Sequence, residues 1–301
     1  VHTMHSDQIN LDIKTATQLI VDQFPQYQEM EITKLNTQGT TSAIFRIGTD
    51  IVAKFPLQIR DGQESYHIIQ KEAKATEEFY INTSFPTSKV IGIGLPSSLF
   101  PMSWILQSWL EGDIANPIDF SSSVFLAKDI STLIKSLRSI HVNDRVFDGQ
   151  GRGGNLKDHD QWIATCLENS KNLLDTVILK SLWEKFRILP KVDQDVMSHK
   201  DLIPANILIK NNRLVGLLDC GSFGAADPAL DLVSTWHLFD KERRETIRNE
   251  LNSSDIEWNR GAAWAFQQAI GLVWYYEKTN LAMSQLGRST LERIINDFKI
   301  S

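Results

Sequence analysis

Two cysteines in 301 residues is the first shortage. Cys166 and Cys220 form neither a CxxC pair nor part of a histidine cluster, which argues against a structural zinc or a disulfide framework. A reducing, cytoplasmic setting is the expectation. A basic stripe is missing too. Lys+Arg number 31 against 37 Asp+Glu, and the formal net charge of −6 is spread along the chain, so no nucleic-acid partner is expected. No charged start followed by an apolar run opens the chain, so no signal peptide is expected. The long apolar stretch AAWAFQQAIGLVWYY is interrupted by Gln267 and Gln268; it is too short and too polar to cross a bilayer. Repeats, low-complexity tracts and long linkers are lacking. What remains has an ordinary 42% hydrophobic content and the length for one large domain, or two lobes sharing a cleft.

The first third alternates short elements. DIKTATQLIVDQF places Ala16, Leu19, Ile20 and Phe24 at helical spacing, closed by Pro25. Three short strands follow, at 32–35, 43–47 and 51–55, the last two joined by a tight turn at Gly48–Asp50. ESYHIIQKEAKATEEFYIN is rich in helix formers. Two further strands, at 89–92 and 104–109, complete a small sheet with one main helix. From about Ser122 the pattern turns helical, interrupted by the Gly-rich DGQGRGGNLKDHD and by two short apolar strands around NILIKNNRLVGLLD. The expected boundary lies at WLEGD, giving residues 1–110 and 111–301.

The chemistry gathers in SHKDLIPANILIKNNRLVGLLDCG, residues 198–221. NILI and RLVGLLD read as a hairpin turned at Asn211 and Asn212, both tolerant of positive φ. Such a hairpin returns Asp219 toward Asn206. A carboxylate and an amide oxygen at adjacent strand ends suit a hard cation such as Mg²⁺. Asp201, on the preceding loop, is placed to accept a proton from a hydroxyl.

This order resembles the catalytic loop of eukaryotic-type protein kinases and, more closely, the aminoglycoside phosphotransferase family. That family's pattern is H-G-D-x-x-x-x-N, a strand ending in Asp, then D-P-x-x-D-L. Here the chain reads H-K-D-L-I-P-A-N, L-L-D-C-G and D-P-A-L-D-L. The resemblance implies an α+β, bilobal protein-kinase-like fold: a nucleotide-binding N-lobe with a small antiparallel sheet and one main helix, and a larger, mostly helical C-lobe. It implies a phosphotransferase that moves the γ-phosphate of ATP or GTP, with Mg²⁺, onto an alcohol. Asp201 would act on the acceptor hydroxyl and His199 would brace the loop. Asn206 and Asp219 would hold Mg²⁺. Asp227 and Asp231 would pin helices, with Asp231 also placed to face the acceptor. Lys200 stands where the family has Gly, and either approaches the transferred phosphate or the acceptor, or points to solvent. Lys54, mid-strand in IVAKF, would meet the α and β phosphates, with Glu72 as its partner on the helix. NTQGTTSA takes the place of the phosphate-covering turn, with Thr40, Thr41 and Ser42 as contacts. ILQSWLEGD takes the place of the hinge, where backbone groups of Ser108 and Leu110 would face the base.

The core motifs say kinase and leave the acceptor open. An aminoglycoside-type antibiotic is the first expectation; a macrolide or a hydroxylated metabolite is the alternative, and a nucleotide-binding pseudokinase is the non-enzyme reading. Trp264, Gln268 and Tyr275, at spacings of 4 and 7, share a helix face that serves either as core or as a sugar-binding wall. Asp231, Asp255, Glu257 and Glu277 are the carboxylates a polycation would need, and they form no dense cluster in the sequence. Arg152, His159 and Asp160 lie in a loop that is either substrate-facing or a connector. A monomer or weak dimer without membrane partners is expected.

Overall fold

The computed structural model describes residues 9–35, 42–191 and 194–298. The chain divides into two compact units: Val1–Glu111 with Gly216–Ser222, and Gly112–Val215 with Phe223–Ser301. The sequence suggested a single cut near residue 110. It did not suggest that seven residues from far downstream return to the first unit.

In the first unit, helix α1 (Ile13–Gln23) starts where the Asp12 carboxylate accepts from Thr15 N at 2.7 Å, and it buries Ala16, Leu19 and Ile20. Strands β1 (Ile32–Leu35), β2 (Ser42–Ile47) and β3 (Ile51–Pro56) precede helix α2 (Gly62–Asn82). Strands β4 (Val90–Gly94) and β5 (Trp104–Ser108) follow it. The sheet order is β1-β2-β3-β5-β4, antiparallel throughout. The two-residue period sorts its side chains. Phe45, Phe55, Trp104 and Leu106 join the α1 residues in one core, with the Phe55 and Trp104 rings stacked 4.4 Å apart. Ile105 points the other way, onto Ile69 and Ala73 of α2. Lys54 pairs with Ile105 in register, between the inward Ala53 and Phe55, and so stands on the α2 side.

The second unit begins with β6 (Asp113–Ile114), α3 (Pro117–Phe120), α4 (Val124–Ser139), α5 (Asp160–Asn169) and α6 (Thr176–Phe186). Next come β7 (Val196–Ser198), β8 (Ile207–Lys210), β9 (Arg213–Leu217) and β10 (Gly224–Ala226). It closes with α7 (Val233–Leu238), α8 (Lys241–Leu251), α9 (Asp255–Tyr275) and α10 (Leu281–Asp297). The chain leaves this unit between Val215 and Gly216, inside β9, and re-enters at Phe223. Helix α9 is buried on nearly every side, against α5, α6, α7 and α10. Strands β8 and β9 meet through Asn211 and Asn212, both left-handed (φ 53° and 60°), as their residue type allows. Strands β7 and β10 pair antiparallel, Ser198 opposite Gly224, and this pairing fixes the start of the loop that carries Asp201.

Candidate active site

The first unit holds a group of charged side chains around Lys54. Lys54 Nζ forms an ion pair with Asp219 Oδ1. The turn that carries Asp219 is stitched down on both sides. Leu217 N donates to Pro86 O at 2.9 Å, and Thr87 Oγ1 donates to Leu217 O at 3.0 Å and touches Cys220 Sγ at 3.0 Å. Gly221 packs on α2 so closely that a Cβ there would stand 3.0 Å from the Glu72 Cβ. Asp219 itself is left-handed (φ 55°), an uncommon state for a residue with a side chain, and its carboxylate is exposed. Glu72 lies within reach of both partners. Burial raises its pKa above the ordinary carboxylate range, Lys54 opposes that rise, and Asp219 adds to it. Where the sequence suggested Glu72 as the partner of Lys54, the ion pair is with Asp219, and Glu72 acts on both through its charge.

The remaining nucleotide-side candidates are placed less distinctively. Ser108 donates its N–H to Lys89 O at 2.9 Å, and its Oγ accepts from Lys89 N at 2.8 Å. Leu110 is half-buried, and Ser42 begins β2. Thr40 and Thr41 lie outside the described residues.

The second unit holds the Asp201 loop. His199 is fully buried; its Nδ1 accepts from Asp201 N at 3.3 Å and its own N–H donates to Asp231 Oδ2 at 3.2 Å. Ser198 Oγ donates to Asp231 Oδ1 at 2.9 Å. Asp231 is only 4% exposed, and burial pushes its pKa up while His199 and Ser198 pull it down. This corrects its placement at the acceptor: Asp231 ties the Asp201 loop to the D-P-x-x-D-L segment. Lys200 has φ 67°, which explains the family's glycine. Its side chain does not point to solvent. It is 10% exposed, pairs with Asp148 Oδ1 at 3.1 Å and stands 5.0 Å over the Phe147 ring.

Three donors hold the Asp201 carboxylate. Arg152 Nη2 reaches Oδ1 at 2.7 Å, Gln268 Nε2 reaches the same oxygen at 3.4 Å, and Asn206 Nδ2 reaches Oδ2 at 3.1 Å. Asn206 Nδ2 also donates to Asp201 O at 2.9 Å, which turns the Asn206 amide oxygen away from the carboxylate. Behind Gln268 lies His237, which sequence reasoning did not single out. It is fully buried, with Nε2 3.0 Å from Gln268 Oε1 and Nδ1 2.9 Å from Thr290 Oγ1. Burial depresses its pKa to about 4, so it is neutral at pH 7. A neutral imidazole donating from Nε2 leaves the Gln268 NH₂ group to face Asp201.

Arg152 was noted only as part of a loop. The loop aims it. Gly149, Gly151 and Gly153 all have positive φ, and a Cβ on Gly153 would stand 2.8 Å from the Ala226 Cβ. Asp227 N donates to Gly153 O at 2.8 Å, and Arg260 Nη2 donates to Gly154 O at 3.0 Å. Arg260 Nε and Trp264 Nε1 both donate to Asp227 Oδ2, at 2.8 and 2.9 Å. Trp264 thus has no exposed surface, and its ring packs edge-on against His159. It belongs to the core, which corrects its place in a substrate wall. Glu277 is exposed in the turn beyond α9. Asp255 pairs with Arg248, and Glu257 with Arg138.

Residues 32–264 match the model of a family described as the phosphotransferase enzyme family. Among curated proteins, the uncharacterized protein YcbJ of Bacillus subtilis (strain 168) is 33% identical over 129 residues, 40% of this chain and 40% of that protein. An aminoglycoside 3′-phosphotransferase of Escherichia coli is 22% identical over 145 residues, 46% of this chain and 54% of that protein. The matches thus span about half or less of these relatives. Among solved structures, the GDP complex of wild-type aminoglycoside 2′-phosphotransferase-IIIa superposes with a TM-score of 0.69 at 16% identity, covering 96% of this chain and all of that one (100%). A macrolide 2′-phosphotransferase type I superposes with a TM-score of 0.64 at 14% identity, covering 94% and 98%. The likeness bears out the α+β kinase-like fold.

Proposed function

Because the chain belongs to the phosphotransferase enzyme family, we propose that it transfers the γ-phosphate of ATP or GTP to a hydroxyl of a small molecule. The observation that carries this reading is the Asp201 carboxylate, aimed by Arg152, Asn206 and Gln268 on a loop that His199 and Asp231 lock in place. Transfer of this kind asks the protein mainly for positioning and charge stabilisation. Asp201 orients the acceptor hydroxyl and takes its proton as the new P–O bond forms and the bond to the β-phosphate breaks. Lys54 meets the α and β phosphates, exchanging its contact with Asp219 for phosphate oxygens, and Glu72 keeps the ammonium oriented. Ser42 and the neighbouring Thr40 and Thr41 cover the phosphates. The Ser108 N–H is committed to Lys89, so the base contact there falls to its carbonyl, together with the Leu110 backbone.

The Asn206 amide oxygen and the Asp219 carboxylate are the hard donors Mg²⁺ takes, and Mg²⁺ typically borrows its remaining ligands from phosphates and water. These two residues would hold it, and it would supply charge neutralisation on the phosphates. Relatives solved with GDP and ADP support a purine nucleotide donor. Structural neighbours named for aminoglycosides and macrolides support an aminoglycoside-type acceptor first, with a macrolide or a hydroxylated metabolite as the alternative. No helix among the described residues is long and apolar enough to cross a membrane, and a cytoplasmic enzyme acting as a monomer or weak dimer is the working reading.

The test is nucleotide turnover with Mg²⁺ and ATP or GTP, with and without acceptors, in wild type and Asp201→Asn. Acceptor-stimulated turnover should fall about 10²-fold or more in the variant while nucleotide affinity is retained. Equal turnover in the two proteins removes Asp201 from the reaction.

A further inference from the structure

Arg152 belongs to no motif that carries the family likeness, yet it makes the shortest hydrogen bond to Asp201. Its guanidinium is under-used. Asp201 takes one terminal nitrogen, Nη2, and the Nε–H is buried with no hydrogen-bond partner among the described residues. The side chain remains 22% exposed. A guanidinium fork matches two oxygens of an anion at once, so one edge of this one is short of a partner.

Asp201 is the carboxylate paired with that cation, and the α9 side chains beside it carry no charge. Gln268 is neutral, and so is Gln267, whose Nε2 lies 3.1 Å from His159 Nδ1. Burial first, and Arg152 second, hold His159 below its ordinary pKa, which keeps its imidazole uncharged at pH 7. Most carboxylates of this unit that a polyamine would seek are engaged internally: Asp227 with Arg260, Asp231 with Ser198 and His199, Asp160 with Arg187, Glu257 with Arg138 and Asp255 with Arg248, while Glu277 is exposed beyond α9.

We propose that the acceptor carries an anionic group, a carboxylate or a phosphate ester, beside the hydroxyl that is phosphorylated, and that Arg152 bridges that anion and Asp201. The proposal rests on the phosphotransfer reading above. In the bridge, one Nη2 hydrogen stays on Asp201, while the other joins the Nε–H so that the Nε–Nη2 edge turns to two oxygens of the anion. The guanidinium then offsets repulsion between the acceptor's charge and the Asp201 carboxylate. An ammonium group brought to the same place meets a cation instead.

Matched small probes test it: glycerate and glycerol 3-phosphate as anions, glycerol as the neutral form, and 2-amino-1,3-propanediol and kanamycin as cations. Turnover of Mg·ATP and Mg·GTP is measured with each, in wild type, Arg152→Lys and Arg152→Ala, with melting temperatures confirming that the variants fold. The expected result is stimulation by an anionic probe at a kcat/KM well above its neutral and cationic counterparts. In Arg152→Ala that advantage shrinks about tenfold or more, mainly through KM, and Arg152→Lys restores part of it. The carboxylate and phosphate probes separate the two anion types. Stimulation by cationic probes but not anionic ones overturns the acceptor class while leaving phosphotransfer intact. So does a loss in Arg152→Ala that is equal for every probe and confined to kcat, which would assign Arg152 to the transferred phosphoryl group. Stimulation by no probe of any charge, with nucleotide bound, overturns the phosphotransfer reading itself.

Discussion

Lys200 shows how one residue can disagree with a motif and still be accommodated. Its backbone is left-handed, which costs a non-glycine residue about 1–2 kcal/mol. The Asp148 ion pair and the Phe147 ring offset that cost. Lys200→Ala keeps the strain and loses both contacts, whereas Lys200→Gly loses the contacts and the strain together. The glycine variant is therefore expected to be more stable than the alanine variant by about 1 kcal/mol, measured by denaturant midpoints. Equal midpoints would mean that the backbone strain is not felt. The residues of the Asp201 loop were legible in the sequence because their spacing is local. Arg152 was not, because its contact with Asp201 spans 49 positions and no pattern encodes such a distance. His237 carried no motif at all.

At the level of elements, a buried ion pair in the second unit ties α9 to the glycine-rich loop. Asp227, at the turn before α7, and Arg260, on α9, are 4% and 2% exposed, and together they secure the glycine-rich loop through Gly153 and Gly154. Removing one partner leaves an uncompensated buried charge, so Arg260→Met is expected to destabilise by about 3–5 kcal/mol, read from thermal or denaturant unfolding. Restoring neutrality in the Arg260→Met, Asp227→Asn double variant should recover part of that loss. Failure to recover it would place the effect in packing rather than charge. Most elements were readable from periodicity, with strand ends displaced by a residue or two: β4 runs Val90–Gly94 where 89–92 was expected. Helix α9 was the ambiguous case. Apolar residues surround it, so a face bearing Trp264 and Gln268 could not be assigned to core or ligand until its neighbours were known. The face divides between the two residues, with Trp264 on Asp227 and Gln268 on Asp201.

For the whole molecule, stability against pH sums opposing titrations. His237 and His159 have depressed pKa values, so the unfolded chain binds their protons more readily and acidification below about pH 6.5 destabilises the fold. Glu72 and Asp231 are raised, and they favour the folded state as pH falls. His237→Gln isolates one contribution. Wild type loses up to about 3 kcal/mol through His237 between pH 6.5 and about 4, and the variant does not. The stability gap between the two should therefore narrow on acidification; a constant gap refutes the buried neutral imidazole. The division of the chain carries a further consequence, for synthesis. The first unit's sheet ends by residue 108, yet the segment that supplies Asp219 to Lys54 and Gly221 to α2 lies at 216–222. At translation rates of roughly 5–20 residues per second, that segment is made about 5–20 seconds after the sheet. Through that interval the nascent first unit waits on the ribosome with Lys54 lacking its Asp219 partner, and a chain released at residue 111 would never receive it.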